Sequence, residues 1–225
     1  MGNEDVCLYE MGNIYIPALE EDDLPCESIV LTLGMYGNVD FYTMKGVIEG
    51  ALTLGRIKDV EYVAVSDNAT FHPGRCAKLV AADGEMLGIF GQLHPLTAQN
   101  YGFNAPVYAA ELDFDAIFDH CDTVIEYKPL PKFPASTRDF SFVCDEALEV
   151  GKLSAVIAKA GGKLVEDVKL FDIYRGAQLG EGKKSVSFRV TLRAADRTLT
   201  VQEADKVSSK MLSSLEHQLG LTLRK

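Results

Sequence analysis

Aromatic, acidic and basic side chains lie on two predicted strands in the last third of the chain. Asp172 and Tyr174 share one parity of the strand predicted over residues 165–174, and Arg189 and Arg193 share one parity of the next strand. A ring can stack on an unpaired base, a carboxylate can accept from a base edge, and guanidinium groups can contact phosphates. The pattern is typical of single-stranded RNA binding, and a solvated strand with solubilising arginines is the alternative.

The two halves of the chain differ in net charge. Residues 1–125 hold five Lys and Arg against twenty Asp and Glu, whereas residues 126–225 hold seventeen against thirteen. The net charges are therefore −15 and +4, which together make the −11 of the whole chain. Because a phosphate backbone attracts a basic surface and repels an acidic one, we expect two units with different partners.

A proline-rich segment separates two predicted domains, residues 1–125 and 126–225. Tyr127-Lys-Pro-Leu-Pro-Lys-Phe-Pro134 disfavours helix and should run extended. The first domain is predicted to be an α+β unit on an antiparallel sheet, with Asp40 as a helix cap and Asp83-Gly84 as a tight hairpin turn. Its predicted strands cover residues 6–10, 28–36, 78–82, 85–90 and 107–112, and a short helix covers 113–118.

The second domain has the order strand, helix, strand, strand, helix, strand. We predict these elements over residues 140–144, 152–160, 165–174, 185–193, 201–219 and 221–224. Thr200 and Glu203 form a capping-box pattern at the start of the second helix. This β-α-β-β-α-β order favours a ferredoxin-like sheet with both helices on one face, which leaves the other face open.

Other polar motifs have ordinary structural explanations. Phe71-His-Pro-Gly-Arg75 brings a histidine close to an arginine, but its composition is typical of a turn. His94-Pro95 is predicted to end a strand and to start a short helix. The acidic run 20–23 could bind a hard cation or could simply be solvated. The glycine-rich segment 176–182 lies between two strands and is predicted to be a hairpin loop.

Cysteine spacing and hydropathy limit the class of protein. The five cysteines are widely spaced, and none of the four histidines completes a metal-ligand pattern with them, so we expect reduced, mostly buried thiols and no metal site. The sequence has no run of about 18 apolar residues and no secretory signal at its start. A cytoplasmic protein with no membrane partner is therefore expected.

Seven segments resemble the β chain of bacterial phenylalanyl-tRNA synthetase, in what would be its C-terminal part. Four of them match, in order and spacing, the ferredoxin-fold anticodon-binding domain of that family: Lys132-Phe-Pro-Ala-Ser-Thr-Arg-Asp139, Leu170-Phe-Asp-Ile-Tyr-Arg-Gly176, Glu181-Gly-Lys-Lys-Ser185 and Asp196-Arg-Thr-Leu-Thr200. Three upstream segments resemble the end of the β chain's catalytic-like domain: Phe71-His-Pro-Gly-Arg75, Gly88-Ile-Phe-Gly-Gln-Leu-His-Pro95 and Tyr108-Ala-Ala-Glu-Leu-Asp113.

The resemblance implies a non-catalytic class II synthetase-like module followed by the anticodon-binding domain. In this family, two α and two β chains form a heterotetramer that attaches phenylalanine to its tRNA with ATP and magnesium, and the α chain holds the active site. The chain would then carry no cofactor of its own, and its partners would be the anticodon region of phenylalanine tRNA and the α chain. The sequence also lacks the Arg-x-Glu signature that grips ATP in class II synthetases.

The resemblance also implies roles for three residues. Tyr174 would stack on an anticodon base, Asp172 would hydrogen-bond a base edge, and Ser185 would make a further anticodon contact. Charge and strand parity add three more RNA-binding candidates, Lys184, Arg189 and Arg193. Ser136-Thr137 stands where many family members are more basic, which weakens the expectation of phosphate contacts at the first strand.

Two other classes of function stay open at this stage. A ferredoxin-like domain could sense a small metabolite in a regulatory protein, because this fold hosts many functions. A free-standing hydrolase that uses His72 or His94 is the third class, although no partner group can be named for either histidine.

Overall fold

The chain divides into two units, Met1–Glu126 and Tyr127–Lys225. The computed structural model describes residues 2–18, 24–125, 127 and 129–221. The division lies one residue beyond the boundary that the charge change and the prolines predict. The acidic run 20–23 and most of the predicted final strand, residues 222–224, lie outside the described residues.

A six-stranded antiparallel sheet is the frame of the first unit. Its strands are β1 Val6–Ile16, β2 Cys26–Tyr36, β3 Glu61–Ala64, β4 Phe71–Val80, β5 Met86–Leu93 and β6 Val107–Asp113. They pair in the spatial order β1-β2-β6-β5-β4-β3. Each predicted strand has a counterpart, but β1 is longer than predicted, and the strand predicted over 78–82 is the end of the longer strand β4. The short edge strand β3 was not predicted.

Three helices belong to this unit, α1 Phe41–Leu54, α2 Pro95–Asn100 and α3 Phe114–Asp119. The predicted cap of α1 is confirmed, because Asp40 Oδ1 accepts from Thr43 N at 2.7 Å while Thr43 Oγ1 accepts from Asp40 N at 3.3 Å. The buried residues of α1 follow a spacing of four along one side and pack into the core of the sheet. They are Met44, Ile48 and Leu52.

The segment predicted to be a turn at residues 71–75 is part of strand β4, so that prediction is wrong. Phe71 pairs with Leu93 and Cys76 pairs with Gly91, so a five-residue step on β4 lies opposite a two-residue step on β5. The extra residues bulge from the ladder. Pro and Gly suggested a turn. They are tolerated in this strand because residues in the bulge do not have to donate hydrogen bonds to the neighbouring strand.

Within residues 129–221, the second unit contains a three-stranded antiparallel sheet and two long helices. Its elements are β7 Ser136–Asp145, α4 Val150–Gly161, β8 Val165–Tyr174, β9 Lys183–Leu192 and α5 Val201–Leu219, with short 3-10 turns at Gly162–Leu164 and Ala177–Leu179. The spatial order β7-β9-β8 places β9 in the centre. The first five elements of the predicted β-α-β-β-α-β order are confirmed, and β8 and α5 have the predicted bounds.

The described helices include none that is long and apolar enough to cross a membrane. The cysteines are free, but only Cys76 and Cys144 are buried, so the expectation of mostly buried thiols is wrong. Cys7 on the edge strand β1 and Cys26 at the start of β2 are exposed. Burial raises the pKa of the Cys76 and Cys144 thiols, which disfavours the reactive thiolate.

Candidate nucleic-acid interface

The two faces of the second sheet differ in what covers them. One face packs against α4 and α5 in a hydrophobic core that includes Phe142, Leu153, Ile157, Val186, Phe188, Met211 and Leu215. We call the other face the open face. The ladder assigns to it Thr137, Asp139, Ser141, Val143 and Asp145 of β7, Asp167, Lys169, Asp172 and Tyr174 of β8, and Lys183, Ser185, Ser187, Arg189 and Thr191 of β9.

Tyr174 and Asp172 lie beside each other on the open face. Tyr174 stands opposite Ser185 and Asp172 stands opposite Ser187 in the antiparallel ladder. Asp172 is exposed and Tyr174 is 38% exposed, whereas Ser185 and Ser187 are buried in the floor of the sheet. The Tyr174 ring and the Asp172 carboxylate therefore lie next to a row of serine hydroxyl groups. Together these groups offer one stacking surface and several hydrogen-bonding atoms.

The position of the Tyr174 ring depends on a glycine two residues later. A Cβ atom at Gly176 would lie 2.3 Å from Tyr174 Oη and 2.6 Å from Cζ. The ring thus packs directly on the backbone of Gly176, at the start of the loop that joins β8 to β9. The glycine acts here by its missing side chain, because its φ of −160° is extended backbone that any residue can adopt.

A bulge in β8 sets which side chains share the open face. Leu170 pairs with Phe188 and Asp172 pairs with Ser187, so Phe171 is an extra residue in the ladder. Strict alternation along the sequence would put Lys169 and Asp172 on opposite faces. The bulge brings both to the open face. Because alternation along the sequence ignores the bulge, it could not predict that Lys169 lies on this face. Lys169 is exposed and has no ion-pair partner in the described ranges.

Arg189 is on the open face as predicted, but its charge is compensated. Its Nε and Nη2 donate to the two carboxylate oxygens of Asp139 at 2.8 and 2.7 Å. Its Cζ lies over the Phe171 ring, 5.4 Å from the ring centroid. The hydrogen bond from Arg189 holds the pKa of the Asp139 carboxyl below its usual value, so both groups are charged at neutral pH.

The other two predicted basic contacts lie elsewhere. Lys184 has the parity of the core residues, is 6% exposed, and donates from Nζ to the Glu146 carbonyl oxygen at 2.8 Å. Arg193 follows the end of β9, donates from Nε to Glu166 at 2.9 Å, and also donates to the Phe133 carbonyl. Both cations make contacts within the domain, and neither lies among the open-face residues where strand parity had placed them.

Among the described residues, the open face is not basic, although β9 alone suggested that it would be. Its three cations, Lys169, Lys183 and Arg189, are accompanied by four carboxylates on the neighbouring strands: Asp139, Asp145, Asp167 and Asp172. Lys183 pairs with Asp145 at 2.5 Å, in the same way that Arg189 pairs with Asp139. Cross-strand pairing of opposite charges therefore removes most of the attraction for phosphate.

The two histidines of the first unit that were considered as catalytic groups accept hydrogen bonds from backbone N–H groups. His72 Nδ1 accepts from Gly74 N at 3.1 Å inside the β4 bulge, and His94 Nδ1 caps α2 by accepting from Leu96 N at 3.2 Å. His94 also lines an open cleft of about 420 Å³ near the start of β4. In the described part of the chain, neither imidazole hydrogen-bonds a serine or a cysteine. This arrangement lacks the base–nucleophile contact of a serine or cysteine hydrolase.

One group of possible metal ligands was not predicted. Atoms of Asp83, Glu85 and His120 lie within 4.8 Å of one another. His120 Nδ1 contacts the Ala116 carbonyl at 2.8 Å and Nε2 contacts Asp83 Oδ2 at 3.2 Å. The Ala116 carbonyl raises the pKa of His120, and Asp83 adds to this effect. The raised pKa favours the protonated imidazole, which the carboxylates of Asp83 and Glu85 would attract.

Family models match both units of the chain. A model described as "Phenylalanyl tRNA synthetase beta chain CLM domain" matches residues 1–114, and one described as "Ferredoxin-fold anticodon binding domain" matches residues 131–224. The chain belongs to the phenylalanyl-tRNA synthetase β-chain family. The predicted family is thus confirmed, together with the ferredoxin fold of the second domain.

Curated β-chain relatives align along almost the whole sequence. The phenylalanine–tRNA ligase β subunit of Clostridium acetobutylicum is 40% identical over 99% of this chain and 28% of its own length. That of Clostridium tetani is 43% identical over 96% of this chain and 27% of its own length. The chain therefore spans slightly more than a quarter of the β-chain relatives that it matches.

Among solved structures, a synthetase of another specificity resembles this β-chain family member only weakly. The pyrrolysyl-tRNA synthetase of Desulfitobacterium hafniense aligns with a TM-score of 0.43 and 13% identity, over 52% of this chain and 40% of that chain. A likeness at this level does not assign a fold or a function.

Proposed function

We propose that this chain recognises the anticodon region of phenylalanine tRNA as part of the β chain of phenylalanine–tRNA ligase. The observation that carries the proposal is the placement of Tyr174 and Asp172 side by side on the open face of the domain that matches the anticodon-binding model. The exposed ring suits an unpaired base, and the exposed carboxylate suits a base amino group. The relatives that share this domain are β subunits of that ligase.

Recognition on this surface would depend on stacking and hydrogen bonds more than on phosphate contacts. Lys183 and Arg189 of the open face pair with carboxylates. Lys184 and Arg193 make contacts within the domain. Ser185 would contribute through the hydroxyl row in the floor of the sheet. A face of this kind discriminates between bases while it attracts nucleic acid only weakly at long range.

The first unit would serve as a scaffold without chemistry of its own. Aminoacylation with ATP and magnesium would be carried out by the α chain, in a cytoplasmic assembly of two α and two β chains. The acidic composition of residues 1–125 and the use of both candidate histidines by the backbone support this role. So does β1, an edge strand with exposed apolar side chains of the kind that protein partners cover, such as Leu8, Tyr9, Met11 and Tyr15.

The test is a titration of the 225-residue chain with phenylalanine tRNA and with a non-cognate tRNA at two salt concentrations. We expect tighter binding of the cognate tRNA. We also expect a shallow salt dependence, because contact with one or two phosphates of a single strand gives a slope in log K against log salt of about −0.7 to −1.4. Equal binding of both tRNAs, or no binding, would contradict the proposal.

Replacement of Tyr174 by Ala adds a residue-level test. Loss of one stacked base should weaken cognate binding by about 1–3 kcal/mol. The matched control is Tyr101→Ala, because Tyr101 is also an exposed tyrosine but lies in the first unit. Equal affinities for the two variants would remove Tyr174 from the interface.

A further inference from the structure

Phe171 is an exposed aromatic side chain whose position the β8 bulge determines. It is 51% exposed, although it belongs to a strand of a packed domain. Regular alternation would place it on the face opposite to its neighbour Asp172. Because it is the extra residue of the bulge, its ring instead lies under the guanidinium of Arg189, which belongs to the open face. Bulges commonly redirect a side chain in this way near binding surfaces.

The guanidinium of Arg189 is held in place on two sides. Asp139 binds Nε and Nη2 in the plane of the group, and the Phe171 ring lies against the group at 5.4 Å. In-plane hydrogen bonds leave the flat surfaces of a guanidinium available for stacking. Nη1 donates to no group among the residues that the structure describes. The Arg189 side chain remains 54% exposed, so this surface is accessible.

We infer that Phe171 and Arg189, positioned by Asp139, form a second stacking platform on the open face, which takes the nucleotide adjacent to the one on Tyr174. The inference rests on the proposed function, because the ligand is the same unpaired RNA. Phe171 is three residues from Tyr174, a distance of about 10 Å along a strand. Aromatic side chains and arginine planes both stack on splayed bases, and several sheet-based RNA modules stack two or three bases in this manner.

The alternative explanation is that the contact between Phe171 and Arg189 has only a structural role. An exposed cation–π contact is worth about 0.5–1 kcal/mol and needs no ligand. The two explanations differ in one respect. A stacking platform requires the aromatic ring for RNA binding, whereas a local stabilising contact affects unfolding and leaves RNA affinity unchanged.

The chain contains no tryptophan, which permits a direct test. In Phe171→Trp, the single indole should be quenched when the anticodon stem-loop of phenylalanine tRNA is added, because a base stacks on it. Val201→Trp is the matched control, since Val201 is 69% exposed at the start of α5, a helix of the opposite face. Quenching of the first reporter and not of the second is the expected result. Equal emission changes in both, or none in either, would overturn the inference.

Affinity measurements separate this inference from the proposed function. Phe171→Leu keeps an apolar side chain but removes the ring, and it should weaken stem-loop binding about 5- to 150-fold, whereas Phe171→Tyr should restore binding. If Tyr174→Ala weakens binding and Phe171→Leu does not, the platform is wrong and the proposed function stands. If the unchanged chain does not bind the stem-loop, both are wrong.

A fluorescent base gives the position along the RNA. With 2-aminopurine at successive anticodon positions, Tyr174→Ala should relieve quenching at one position and Phe171→Leu at the neighbouring one. Thermal unfolding of both variants provides the control for folding. Relief at the same single position in both variants would show that one base, and not two, contacts this face.

Discussion

Arg189 on the central strand of the second sheet and Asp139 on β7 form a two-point ion pair across the open face, with donor–acceptor distances of 2.8 and 2.7 Å. The hydrogen bond between them raises the pKa of Arg189 and lowers the pKa of Asp139. Both groups therefore stay charged over the neutral range. The pair converts a cation that could have attracted phosphate from any RNA into a fixed part of the surface.

Asp139→Asn should change how the chain binds RNA. The uncompensated charge of Arg189 becomes available to a phosphate, so the slope of log K against log salt should steepen by about 0.7. Discrimination between cognate and non-cognate tRNA should fall, because the guanidinium loses its in-plane anchor. Titrations at several salt concentrations measure both quantities.

Asp145→Asn is the matched control for this variant, since Asp145 pairs with Lys183 on the same face. It should steepen the salt dependence in the same way but leave discrimination unchanged. If both variants lose discrimination equally, the Arg189–Asp139 pair has no special position in recognition.

Gly176→Ala should weaken RNA binding without unfolding the domain. The added methyl group would lie 2.3 Å from Tyr174 Oη, so the ring must move away from its present position. We expect a loss of affinity comparable to that of Tyr174→Ala, with little change in thermal unfolding because Tyr174 is partly exposed. Gly151→Ala is the control, since a Cβ atom there meets nothing within 4 Å. Wild-type affinity of Gly176→Ala would show that the ring position is not important.

Acid should destabilise the second unit through Glu203. The backbone N–H of Thr200, followed by Arg197 and the Thr200 hydroxyl, lowers the pKa of Glu203 to about 2 from the usual 4.5. Because the pKa is lower in the folded state, the stability from this group is present above about pH 4.5 and is lost as the pH falls toward 2. Denaturant unfolding followed by circular dichroism at several acidic pH values measures the loss.

Glu203→Gln isolates this contribution. A glutamine can still accept from Thr200 N in the capping box, but it does not titrate. The variant should therefore show a smaller decline of stability between about pH 4.5 and 2 than the unchanged chain. Parallel declines in both proteins would assign the acid sensitivity to other carboxylates.

The apolar edge strand β1 should be needed for assembly with the α chain. Tyr9 is 78% exposed, so Tyr9→Asp should leave the fold intact but place a charge in the partner interface. We expect loss of co-purification with the ligase α chain. Leu96→Asp is the control, because Leu96 is 64% exposed in the first turn of α2, where a carboxylate is tolerated. Retained co-assembly of Tyr9→Asp would exclude this strand from the interface.

Local sequence pattern was sufficient for most elements of the second domain. The bounds of β8 and α5 agree with prediction because their signals are local: a tyrosine followed by a loop with three glycines ends the strand, and Thr200 with Glu203 starts the helix. The elements of the first domain were harder to predict from the sequence. Pro and Gly at residues 73 and 74 imitate a turn, and only the pairing of Phe71 and Cys76 with β5, on either side of them, keeps the segment in a strand.

Within the candidate site, parity along one strand correctly grouped Asp172 with Tyr174, because alternation is a property of each strand alone. It could not show that Lys184 is buried or that Phe171 and Lys169 reach the open face. Nor could it show that carboxylates of β7 pair with the cations of β9. Those features arise when three segments distant in sequence align in register. Charge balance and stacking geometry on a sheet belong to the neighbouring strands together, so they are defined only once the strands have paired.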